Sequence, residues 1–83
     1  MDYAAVELKV KEVLADKLNR NINDIKLESL LLEDLGMDSF GSIETIFELE
    51  EKFNLKIPDS DLEKVKTVKD IVDYISTKTG AAG

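Results

Sequence analysis

Ser39 is the residue of this chain best placed to do chemistry, and it lacks the neighbours that would let it act alone. It lies in Leu35-Gly36-Met37-Asp38-Ser39-Phe40, after a glycine break and at the start of a helical pattern. The 83 residues include no His and no Cys. The chain therefore has no imidazole to activate a hydroxyl, no thiolate and no soft metal ligand. No catalytic residue and no metal site are expected. A hydroxyl at a helix start is ordinarily an N-cap. The same position suits a phosphate ester, because unpaired backbone N–H groups and the helix dipole stabilise negative charge there by roughly 0.3 to 1 kcal/mol. A second constellation, Asp59, Asp61, Glu63 and Asp70, has the spacing of a calcium loop, but Lys64 stands where that loop needs glycine and Asp is a short final ligand.

The elements that must position Ser39 read as helices. Val6, Val10, Val13 and Leu14 recur at helical spacing and predict a first helix over Tyr3 to Leu18. Asn19-Arg20-Asn21 ends it. Residues 21 to 38 form a long connection, and a loop of that length in a small domain needs anchors. Ile22, Ile25, Leu27, Leu30, Leu31, Leu32 and Leu35 supply them, with a helical turn near Ser29 to Leu32. The second helix starts at the cap-type pair Asp38-Ser39 and runs to about Phe53. Ser60-Asp61-Leu62-Glu63 has the form of a capping box and predicts a short helix ending near Lys64. Thr67 to Asp70 resembles another, ahead of Val68, Ile71, Val72 and Ile75 in a last helix. The expected fold is all-α: a small bundle of three principal helices plus one short helix, with a long loop between helices one and two. Residues 1–79 make the domain and 80–83 a flexible C-terminal tail. No apolar run is long enough for a membrane span and the start is acidic, so a soluble, cytoplasmic chain is expected.

The charge is segregated. The formal net charge is −7. Residues 33 to 63 hold ten acids against Lys52 and Lys56, a net of −8, and the rest of the chain carries eight acids and nine bases, a net of +1. Such a balance argues against nucleic acid and against insertion into an anionic membrane. On a wheel of about 100° per residue, Ile46, Leu49 and Phe53 fall on one stripe of helix two and Phe40, Ile43 and Phe47 on another. Glu44, Glu48 and Glu51 border the second stripe. One stripe is expected in the core and the other as an exposed apolar patch rimmed by carboxylates, the composition of a partner site. The alternative is that the loop covers both.

Leu35-Gly36-Met37-Asp38-Ser39, Ile43-Glu44, the Glu-Leu-Glu-Glu-Lys-Phe run from Glu48 to Phe53, Ile57-Pro58-Asp59 and Thr67-Val68 resemble an acyl carrier protein over nearly the whole chain. The Asp-Ser pair alone is a weak signal, and its combination with the downstream elements is a strong one. The resemblance implies a monomeric, non-catalytic carrier. A phosphopantetheinyl transferase would attach 4′-phosphopantetheine from coenzyme A to Ser39. The arm's thiol would carry acyl cargo, and acyl-transferring, synthase or ligase enzymes of fatty-acid, lipid or polyketide synthesis would receive it through basic docking patches. It further implies partner contacts at Asp38, Phe40, Ile43, Glu44, Phe47, Glu48 and Glu51, and an acyl pocket at Ile46, Leu49, Phe53, Ile57, Val65, Val68 and Ile71. Phe40 and Thr45 stand where Leu is usual in the family, and Gly41 where an acid is common. An aminoacyl or peptidyl carrier is the nearest alternative, and an acidic adaptor without a prosthetic group, in which Ser39 only caps its helix, the next.

Overall fold

The computed structural model describes residues 2–80, with the backbone alone described at Ser39 and Phe40. Four α-helices follow along the chain: α1 (Tyr3–Leu18), α2 (Ser39–Phe53), α3 (Asp59–Leu62) and α4 (Val68–Thr79). A 3-10 turn at Ile22–Asp24 precedes the long stretch that leads to α2. No strand occurs among the described residues, so the all-α expectation holds. Of the expected tail, all but Gly80 lies outside the described residues.

Each long helix is closed by residues that satisfy its unpaired ends. Asp2 caps α1, its Oδ1 accepting from the Ala5 amide at 2.9 Å. Asn19 and Asn54 end α1 and α2 in the left-handed region, at φ 54° and 52°, where Asn is tolerated better than most side chains. At α4 the capping box is complete. The Asp70 amide donates to Thr67 Oγ1 at 3.2 Å, and the Thr67 amide donates to Asp70 Oδ2 at 3.1 Å. The Lys66 amide reaches the same carboxylate at 2.9 Å. These bonds, that of Lys66 foremost, hold the Asp70 carboxyl below its ordinary range. The carboxylate that a calcium loop would need last is thus turned onto the backbone.

α3 corrects the expectation at Ser60. The amides of Asp61 and Leu62 already donate to the Pro58 carbonyl at 3.0 and 3.1 Å, so the helix begins at Asp59 with Pro58 as its cap. Ser60 lies inside the first turn, past the position from which a side chain can cap, and no side-chain cap bond forms. None of the residues of α3 is buried. Among the described residues one side-chain hydrogen bond ties it to the bundle: Tyr74 Oη of α4 donates to Asp61 Oδ2 at 2.6 Å.

The core is one cluster drawn from every long element. Val6, Val10, Val13 and Leu14 of α1 meet Ile46, Leu49 and Phe53 of α2, Ile57 of the link, and Val68, Ile71, Val72 and Ile75 of α4. Tyr3 joins the two chain ends, donating to Asp73 Oδ1 at 2.6 Å.

The connection from α1 to α2 is anchored more selectively than its leucines predict. Ile25, Leu31, Leu35 and Met37 are buried, whereas Leu30 and Leu32 are 38% and 61% exposed. The turn lies between Leu30 and Gly36, not at Ser29 to Leu32, with amides of Asp34 and Leu35 bonded to the Leu30 carbonyl at 2.9 and 3.1 Å. Backbone pairing explains the selection. Leu31 donates to Lys66, Val68 to Ser29 and Lys69 to Leu27, at 3.0, 3.1 and 2.9 Å, around an isolated bridge between Leu30 and Thr67. At the bridge this pairing turns Leu30 outward and Leu31 inward and fastens the loop to the start of α4, while Leu32 is exposed in the turn that follows.

Candidate functional site

The N-terminus of α2 is built by Asp38. Its Oδ1 accepts from the Gly41 amide at 2.7 Å and its carbonyl accepts from the Ser42 amide at 2.8 Å. The capping position of this helix therefore belongs to Asp38, and Ser39 is the first helical residue after it. The reading of Ser39 as the cap is corrected: two cap-type residues stand in succession, and the backbone turns helical at the second. Gly36 supplies the break before them at φ 67°. A Cβ on Gly41 would stand 3.2 Å from Asp38 Oδ1, so the glycine keeps the cap uncrowded. Asp38 and Gly36 are exposed, which leaves this terminus on the surface.

Beyond Ser39 the two stripes of α2 part. Ile46, Leu49 and Phe53 are buried, while Ile43 and Phe47 are 56% and 61% exposed. The side chain of Phe40, placed on the outer stripe by its spacing, lies outside the described residues. The alternative in which the loop covers both stripes is excluded for Ile43 and Phe47, because the loop is tied to α4 instead.

The acids beside this stripe divide in three. Glu44 and Glu51 are exposed. Glu48 is half-buried and faces Lys17 of α1 across 3.6 Å. Glu50 turns inward to accept from the Ile57 amide at 2.7 Å, fixing the link after α2. Wheel angles cannot separate these roles, since the partners of Glu48 and Glu50 come from other parts of the chain.

Two clefts open beside α2. One of about 470 Å³ lies near the N-terminal end of α2, between the loop and α3, with Leu31, Met37, Ser42, Leu62 and Val65 on its walls. The other, of about 240 Å³, lies between α2 and α3 and is lined by Ile43, Ile46, Phe47, Ile57 and Leu62. Leu62 borders both, so α3 is their common wall. Of the expected pocket residues, Ile46 and Ile57 line one cleft and Val65 the other. Leu49, Phe53, Val68 and Ile71 lie deeper, in the core cluster. Thr45 and Ser76 are not among the site residues to which the sequence points. Both are buried, and neither Thr45 Oγ1 nor Ser76 Oγ has a hydrogen-bond partner among the described residues. A buried hydroxyl left unpaired costs about 1–3 kcal/mol. The signal available in the sequence was Thr45 at a position where the family usually has Leu.

A family model described as "Phosphopantetheine attachment site" matches residues 8–75. The chain is also similar to several curated proteins over most of its length. It is 50% identical to an acyl carrier protein of Wolinella succinogenes over 68 residues, 82% of this chain and 90% of that protein. It is 48% identical to one of Clostridium perfringens over 71 residues, 86% of this chain and 93% of that protein. One of Clostridium acetobutylicum is 45% identical over 86% of this chain and 92% of that protein.

Proposed function

We propose, since this chain belongs to the acyl carrier protein family, that it holds acyl intermediates on a prosthetic group at Ser39 and presents them to enzymes of fatty-acid, lipid or polyketide synthesis. The prosthetic group of this family is 4′-phosphopantetheine, and its members are carriers without catalytic activity of their own. When bound, the group supplies a terminal thiol on which acyl groups ride as thioesters.

The residues present fit that group. Ser39 is the hydroxyl-bearing first residue of α2, Asp38 takes the capping duty beside it, and Gly41 leaves the cap room. The chain has no His or Cys with which to activate its own serine, so attachment falls to a phosphopantetheinyl transferase acting from outside. Ile43 and Phe47 give such a partner an apolar footing on α2, and Glu44 and Glu51 stand free to meet its basic side chains. The observation that carries the reading is this conjunction: Ser39 directly after an exposed acidic cap, at the head of a helix whose outer stripe is bare at Ile43 and Phe47.

Incubation with coenzyme A and a permissive transferase tests it by intact mass. The wild-type chain and Ser42→Ala are predicted to gain one phosphopantetheine, and Ser39→Ala none. No gain in the wild type with any transferase would contradict the reading and favour an adaptor without a prosthetic group, and equal gain in Ser39→Ala would contradict attachment at Ser39.

A further inference from the structure

Two hydroxyls stand about one turn apart on α2. Ser42 lines the cleft of about 470 Å³ near the N-terminal end of that helix. Thr45, three residues on, is 0% exposed, and its Oγ1 has no hydrogen-bond partner among the described residues. Side chains three apart on a helix are neighbours, with Cβ atoms about 5–6 Å apart. Ser42 thus lines the cleft while Thr45, which lines neither cleft, sits buried one turn behind it, so the pair places a hydroxyl at the cleft wall and an unpartnered one beneath it. A plain alkyl chain makes no use of such a pair. Valine in place of Thr45 would fill nearly the same space without an orphaned hydroxyl. A threonine hydroxyl can donate to a ketone and can donate to or accept from an alcohol. The opposite wall is also the one able to give way, since α3 has no side-chain cap and no buried residue.

We propose that the interior of this carrier is suited to acyl cargo bearing an oxygen on its chain, a hydroxyl or a ketone, with Thr45 Oγ1 as the polar partner of that oxygen. The inference rests on the carrier reading and sharpens it to a class of cargo. Thr45 is then a specificity residue, and the cargo supplies the hydrogen bond that the folded chain leaves open.

The test loads the chain from 3-hydroxyoctanoyl-coenzyme A or octanoyl-coenzyme A with a permissive transferase. Hydrolysis of each thioester is followed by intact mass and normalised to the same acyl group on coenzyme A. The hydroxylated cargo is predicted to be protected about twofold to tenfold more than octanoyl, the range that one ordinary hydrogen bond spans. Thr45→Val is predicted to abolish the difference and Thr45→Ser, which keeps the hydroxyl, to retain it. The Thr45 NMR signals should move more with the hydroxylated cargo than with octanoyl. Equal protection in the wild type, or a preference that survives Thr45→Val, overturns the inference while leaving the carrier reading in place. Failure of both cargoes to load on Ser39 overturns the carrier reading and the inference together.

Discussion

At Asp38 a single side chain decides how Ser39 is presented. Asp38→Ala removes the 2.7 Å bond to the Gly41 amide and is predicted to lower stability by about 1 kcal/mol, read from the urea midpoint, with Asp38→Ser recovering most of it. Two acids on the outer border of α2 should behave differently under charge reversal. Glu44→Lys is predicted to slow acyl delivery to a basic partner at low salt and to leave the melting temperature unchanged. Glu48→Lys should slow delivery as well, but also lose the pair with Lys17 and up to about 1 kcal/mol of stability. A delivery rate at low salt unchanged by Glu44→Lys would contradict the docking role. The difference between the two acids was not legible in the sequence. Both border the same apolar stripe, and what separates them is a lysine some thirty residues upstream that only the packing of α1 on α2 brings near.

The long helices were legible from periodicity, joined by cap-type residues at the starts of α2 and α4. Tyr3 to Leu18 follows from the spacing of its four core residues, and the start of α4 from a box whose two halves both form. The short helix was harder, since four residues carry no period and the proline before them sets the turn earlier than Ser60 would. α3 is also the element held by least. Tyr74→Phe removes its 2.6 Å tie at Asp61 and is predicted to speed amide hydrogen exchange over residues 61 to 65 with little change in α1. Exchange there at the wild-type rate would show that Asp61 holds nothing. The same tie has a pH signature. Bonding to Asp73 and to Asp61 raises the phenols of Tyr3 and Tyr74 from 10.0 to about 12. Their folded-state pKa values lie above the unfolded ones, so their contribution is complete below pH 10 and is lost as pH rises toward 12. Alkaline unfolding should set in across that window, and Tyr3→Phe with Tyr74→Phe should flatten it. At the acid end the sign reverses. Lys69 foremost, then Tyr3, holds Asp73 below its ordinary range of 3.8, so its contribution is present above that value and fades as pH falls through the lower folded pKa.

Over the whole molecule, the net −7 resolves into an acidic middle that contains Ser39 and all of α2, and nearly neutral ends. That segregation fits an account in which basic enzymes are steered to one face and released by salt. The fold and the outer stripe were readable from pattern alone, whereas the clefts beside α2 and the orphaned Thr45 hydroxyl needed three-dimensional packing. Everything in the account turns on one covalent fact at one residue. Peptide-level mass spectrometry of the protein purified from its native cell reads it directly, locating the arm and its cargo together. The account predicts a phosphopantetheine mass confined to the fragment that contains Ser39, part of it carrying an acyl group; an unmodified Ser39 throughout the native population, or the mass on any other residue, would contradict it.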